Sequence, residues 1–163
     1  MKKNLWVIPA LALMAAGCAS HETKSVSEAA IATTAAPARA CVPPPGELVV
    51  KDLAPGSGDT ARFRSAILVD YTGWLYDGCA PDFKGAEFDS SSGKQPISFM
   101  LGAGRVIRGW DEGILGLKEG GKRLLIIPSD KAYGASGAPG GKIPPNSALV
   151  FEVTLDKIIM QAQ

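Results

Sequence analysis

From Glu47 onward, apolar and polar positions follow one another in short, regular runs. In "SAILVDYTGWLY", Ile67, Val69, Tyr71 and Leu75 fall on one face and Asp70 and Thr72 on the other, the period of a half-buried strand. "ALVFEVTLDKI" is clearer still: Leu149, Phe151, Val153 and Leu155 point inward, Glu152, Thr154 and Asp156 outward. "ELVVKDL" predicts a short strand, ended by the turn residues of "PGSGD". "QPISFML" predicts another, with Ile97, Phe99 and Leu101 on one side. "RLLIIP" is apolar without a break, which suits a strand covered on both faces. The period changes once. Between Val106 and Leu117, Trp110, Ile114 and Leu117 recur at i, i+4 and i+7, the stripe of a short helix. Asp111 and Glu112 occupy its first turn, where the helix dipole favours acids. One short helix among antiparallel strands predicts an α+β fold, a half-barrel sheet of about five to six strands wrapped around that helix.

The stretch before Glu47 has no such period. "MKKNLWVIPALALMAAGC" places Lys2 and Lys3 before an apolar run from Leu5 to Ala16 and then small residues. That is the layout of a secretory leader, too short for a bilayer span, which takes roughly 20 residues. Cys18, directly after Ala-Gly, resembles the lipobox of bacterial lipoproteins. Residues 1–17 are therefore expected to be a signal peptide and Cys18 the lipidated first residue of the mature chain. Several acyl chains there would hold the protein on a membrane. No aspartate follows Cys18, so the expected location is the bacterial cell envelope, on the outer membrane and facing the periplasm. Residues 18–45 are expected to be a tether, small and polar at first and stiffened by Pro43 to Pro45. Residues 46–163 form the one expected folded domain. An export route also makes Cys41 and Cys79 candidates for a bridge, two free thiols being the alternative.

Composition narrows the chemistry. The chain is 46% hydrophobic and 20% charged, as globular proteins are. Its net charge is +1, which loss of Lys2 and Lys3 changes to −1, so no basic face argues for nucleic acid. The single histidine is His21 and no CxxC occurs, so neither a metal site nor a histidine-based triad is expected. "GLKEGGKR" has the spacing of a phosphate loop but ends in arginine where Ser or Thr would hold magnesium. "LGAGRVIRG" places Ile107 where a dinucleotide loop needs its third glycine. No cofactor is expected.

Apolar and aromatic residues gather instead at the ends of elements. With the motifs that carry them, "VDYTGWLYDG", "EFDSS", "FMLGAGRVIRGWDEGILGL", "AYGASG" and "IPPNSALVFEVTL", the segment Glu47 to Ile158 resembles the FKBP-type peptidyl-prolyl cis–trans isomerases. The resemblance implies that Trp110 floors an apolar pocket for a proline ring. Tyr71, Phe88, Ile97, Phe99, Val106, Ile107, Tyr133, Ile143 and Phe151 would form its walls. Asp89 would be the carboxylate at its rim, held by Tyr71, while the Ile107 N–H and Tyr133 hydroxyl donate to substrate carbonyls. Tyr71, Phe88, Asp89, Trp110, Tyr133 and Phe151 would carry the catalysis and the others would bind substrate. The implied substrates are unfolded or partly folded exported proteins with X-Pro bonds, and the implied inhibitors are macrolides such as rapamycin. A monomer is expected. A non-catalytic module that binds Pro-containing or unfolded segments is the alternative. Three departures from the family pattern bear on specificity: a longer loop from Gly78 to Glu87, Ile97 in place of an aromatic residue, and a small-residue flap around Ala138, Gly141 and Lys142.

Overall fold

The computed structural model describes residues 41–161; the leader, Cys18 and the tether as far as Ala40 lie outside them. Besides three short 3-10 turns, six strands and one α-helix follow in the order β1 (Val49–Ala54), β2 (Ala66–Tyr76), β3 (Lys84–Ser90), β4 (Ile97–Met100), α1 (Arg108–Gly113), β5 (Lys122–Ile127) and β6 (Leu149–Met160). All pairings are antiparallel, in the order β1-β5-β6-β2-β3, with β4 also on β2. The length of β2, 11 residues, makes this possible. One edge of β2 pairs with β6 throughout, while the other holds β4 along Ala66–Val69 and β3 along Thr72–Tyr76.

Alternation along these strands produces two apolar layers. Ile67, Val69, Leu125, Ile127, Leu149, Val153 and Leu155 face α1 and are fully buried with Leu101, Ile114 and Leu117. Leu124, Ile126 and Val150 face the other way, against Trp74, Tyr76 and Phe83. The unbroken apolar run of β5 is thus covered on both sides, as its composition predicts.

The helix is shorter than its apolar stripe. Regular helix covers Arg108–Gly113 rather than Val106–Leu117, because Ile107 is extended (ψ 147°) and the chain turns at Gly116, whose φ is +79°. Ile114 and Leu117 are buried all the same. Arg123 closes the end of α1: its Nη1 donates to the carbonyls of Gly113 and Leu115 at 2.8 and 3.0 Å, while its Nε–H pairs with Asp52 on β1.

The expected loop from Gly78 to Glu87 is a loop over its first six residues and strand over its last four. The loop part ends in a single 3-10 turn at Pro81–Phe83, and β3 begins at Lys84. Cys41 and Cys79 are disulfide-bonded, with Cα atoms 4.4 Å apart. The Val42 N–H donates to the Gly78 carbonyl at 3.1 Å, and the Tyr76 hydroxyl lies 3.1 Å from the carbonyl oxygens of both Val42 and Pro43. The start of the described chain is therefore strapped to the β2–β3 turn.

Candidate active site

Two glycines let aromatic side chains meet between helix and sheet. A Cβ on Gly109 would clash with Ile127, so glycine there lets α1 lie directly on β5 and sets the next residue, Trp110, into the core. A Cβ on Gly73 would stand 2.6 Å from the Phe151 ring and 2.7 Å from Phe88. Its absence allows those rings to meet edge to face, with centroids 5.5 Å apart. Trp110 is 3% exposed and packs against Tyr71 and Phe151, each with ring centroids at 5.1 Å in edge-to-face geometry. Its indole N–H has no acceptor among the described residues.

These rings enclose a cavity of about 210 Å³ lined by Tyr71, Phe88, Asp89, Ile97, Arg105, Val106, Ile107, Trp110, Tyr133 and Phe151. Drug-sized ligands occupy about 300–1,000 Å³, so a space of this size suits a single ring. A larger depression, about 390 Å³, lies over Asp70, Thr72, Ser91, Lys94, Lys122 and Glu152, but its lining is polar and charged. Phe99 and Ile143 do not line the aromatic cavity. Phe99 packs beside Trp110 with ring centroids at 5.8 Å, and Ile143 is buried in the core. Arg105 does line it, and nothing in the sequence pattern points to an exposed arginine; the apolar Val106 and Ile107 beside it are the only local signal.

The polar groups at the rim are one carboxylate acceptor and several donors. The Tyr71 hydroxyl donates to Asp89 Oδ2 at 2.6 Å, and the Ser90 N–H donates to Asp89 Oδ1 at 3.0 Å. The bond from Tyr71 holds the Asp89 carboxyl below its usual range, with Ser90 and Lys94 adding to the effect against partial burial. Burial, then the hydrogen bond to Asp89, pushes the Tyr71 hydroxyl well above the ordinary tyrosine value. Burial, then the nearby Asp89 charge, raises Tyr133 as well. Both phenols remain protonated at neutral pH. Among the described residues, the Ile107 N–H and the Tyr133 hydroxyl donate to no other group. Ile107 is free because it stands at the helix N-terminus, where its carbonyl already accepts from Trp110 at 2.9 Å but its own N–H has no turn to bond to.

An aromatic cavity of this size, with two unengaged donors at its rim, has the shape and chemistry to take an apolar ring set within a polar chain. Among the described residues no cluster of His, Cys, Asp or Glu is placed to hold a metal ion. The comparisons give that class its family. The family profile of the FKBP-type peptidyl-prolyl cis-trans isomerases matches residues 58–156. An FK506-binding protein of Neisseria meningitidis serogroup A / serotype 4A is 51% identical over 114 residues, 69% of this chain and 97% of that one. An FK506-binding protein of Streptomyces anulatus is 45% identical over 109 residues, 66% of this chain and 83% of that one. The solved peptidyl-prolyl cis-trans isomerase of Pseudomonas syringae pv. tomato superposes with a TM-score of 0.56 at 39% identity, over 68% of this chain and 74% of that chain. The solved structure of AtFKBP13 gives 0.58 at 37%, over 68% and 92%. The chain belongs to the FKBP-type peptidyl-prolyl cis-trans isomerase family, and its reaction is the rotation of X-Pro peptide bonds.

Proposed function

We propose that this reaction takes place in the Trp110 cavity, on exported chains, from a lipid anchor on Cys18 at the bacterial envelope. The observation that carries the site is the pair of unengaged donors, Ile107 N–H and Tyr133 hydroxyl, on the wall of a small aromatic cavity.

Rotation of an X-Pro bond meets a barrier of roughly 18–20 kcal/mol because twisting breaks amide resonance. The twisted amide is less polar than the planar one, so a water-free aromatic cavity disfavours the ground state relative to the transition state. The proline ring rests on Trp110 between Tyr71, Phe88 and Phe151. Ile107 and Tyr133 hold flanking carbonyls while the bond turns. Two such hydrogen bonds, at about 1 kcal/mol each, give roughly thirtyfold. Any larger acceleration must come from the dry walls. Asp89 neither gives nor takes a proton; it accepts from Tyr71 and fixes that ring as a wall. FK506, named in the relatives, and other macrolides such as rapamycin are expected to compete for the same space.

The experiment is the cis-to-trans relaxation of a Leu-Pro or Phe-Pro peptide with and without rapamycin. Acceleration that rapamycin abolishes is the expected result. A folded protein that binds the peptide without accelerating it would make this a Pro-peptide-binding module instead. The envelope location rests on the lipobox-like "LMAAGC". Mass spectrometry of the exported protein is expected to find the leader gone and acyl chains on Cys18, and an intact leader would refute the anchor.

A further inference from the structure

Next in sequence to the core-facing Phe99 and Ile67, Met100 and Ala66 lie on the opposite face of the sheet. Ala66 is the register partner of both Met100 and Met160, so these three residues form a row across β4, β2 and β6. Phe63 adjoins them, its ring so close to Gly102 that a Cβ there would clash. Phe63, Met100 and Met160 are 57%, 45% and 65% exposed. With Arg64, Gly102 and Ala103 they line a groove of about 540 Å³. Single exposed apolar residues are ordinary, whereas a contiguous patch marks a binding surface. Methionine, unbranched and polarizable, suits partners of variable shape.

We propose that this groove is a second binding surface for the apolar residues of the same unfolded chain whose proline occupies the Trp110 cavity; the inference rests on the isomerase reading of that cavity. The β4–α1 loop is the wall the two surfaces share. Gly102 and Ala103 line the groove, Arg105, Val106 and Ile107 line the cavity, and only Gly104 lies between them. Asp111 fixes this loop by accepting from the N–H groups of Gly102 at 2.7 Å and Gly104 at 3.0 Å. A chain leaving the cavity past Arg105 passes the loop that borders the methionine groove. An unfolded exported chain presents apolar residues there, and a folded one hides them. The patch is also too small to be the core of a stable dimer, which uses roughly 20–30 residues a side.

The test uses the full chain, as wild type and as the double variants Met100→Gln/Met160→Gln and Met100→Glu/Met160→Glu. Two fluorescently labelled peptides, long enough to span both surfaces, carry the same central Leu-Pro bond, one flanked by Leu and Phe and the other by Ser and Gly. Anisotropy reads their binding, and a short Leu-Pro tetrapeptide reads turnover. Wild type is expected to bind the Leu/Phe peptide about tenfold more tightly. Both variants are expected to lose that preference while tetrapeptide turnover stays unchanged. The proposal is overturned by a preference that survives in the variants, by its absence in wild type, or by turnover that falls in parallel. A wild-type dimer that the variants dissociate would also overturn it, by making the face a self-interface. Preferential binding without tetrapeptide turnover would instead refute the isomerase reading and leave the groove standing.

Discussion

Tyr133 lines the cavity and its hydroxyl bonds to nothing else described, so on the proposed mechanism its loss removes one substrate contact and little else. Tyr133→Phe is expected to lower kcat/KM about fivefold, the equivalent of one net hydrogen bond, with an unchanged thermal midpoint. The pH dependence follows from the same residues. The Tyr71 bond favours ionised Asp89, so its contribution is complete above the ordinary carboxylate pKa and is lost only as pH falls through the lower folded value. Burial keeps Tyr71 and Tyr133 protonated above the ordinary tyrosine range. Between about pH 5 and 9 none of the three titrates, and kcat/KM measured across that window is expected to be flat. Legibility in the sequence also divides by residue. Trp110, Tyr71, Phe88 and Phe151 stand out as large rings in strong motifs, and the structure gathers all four around one cavity. Phe99 carries the same signal but packs beside Trp110 without lining the cavity, because which ring faces an opening depends on neighbours far away in the chain.

Among the elements, α1 matters most because it carries Trp110, and it has only six residues with which to hold it. A helix so short gains little from its own hydrogen bonds and depends on its contacts. Arg123 is the principal one at its end. Arg123→Met keeps the aliphatic bulk but leaves the carbonyls of Gly113 and Leu115 without their donor. A loss of about 2–4 kcal/mol in urea denaturation is expected, together with reduced kcat/KM as Trp110 loses its fixed place. Five of the six strands announce themselves by alternation or by a continuous apolar run. The exception, β3, is "KGAEFDS", whose one large apolar residue is Phe88. Its strand form comes from pairing with Thr72–Tyr76, and that is a property of β2 rather than of its own composition.

At the scale of the whole molecule, the Cys41–Cys79 bond ties the chain's entry to the β2–β3 turn across 38 residues. Loop-closure entropy for that separation corresponds to about 4 kcal/mol. Reduction with dithiothreitol is expected to lower unfolding stability by up to that amount in a denaturant titration. Activity at 25 °C is expected to persist, because Phe88 and Asp89 are still held by β2. On the mechanism proposed above, the sheet, its short helix and the aromatic cavity act together by shape and apolar lining. The most direct test of that mechanism is the rapamycin-sensitive relaxation rate of a Leu-Pro peptide compared in H2O and D2O. Rotation in a dry cavity with no proton in flight predicts a clear acceleration of equal size in both solvents. A catalysed rate that falls markedly in D2O would mean that a proton moves in the rate-limiting step, and would contradict it.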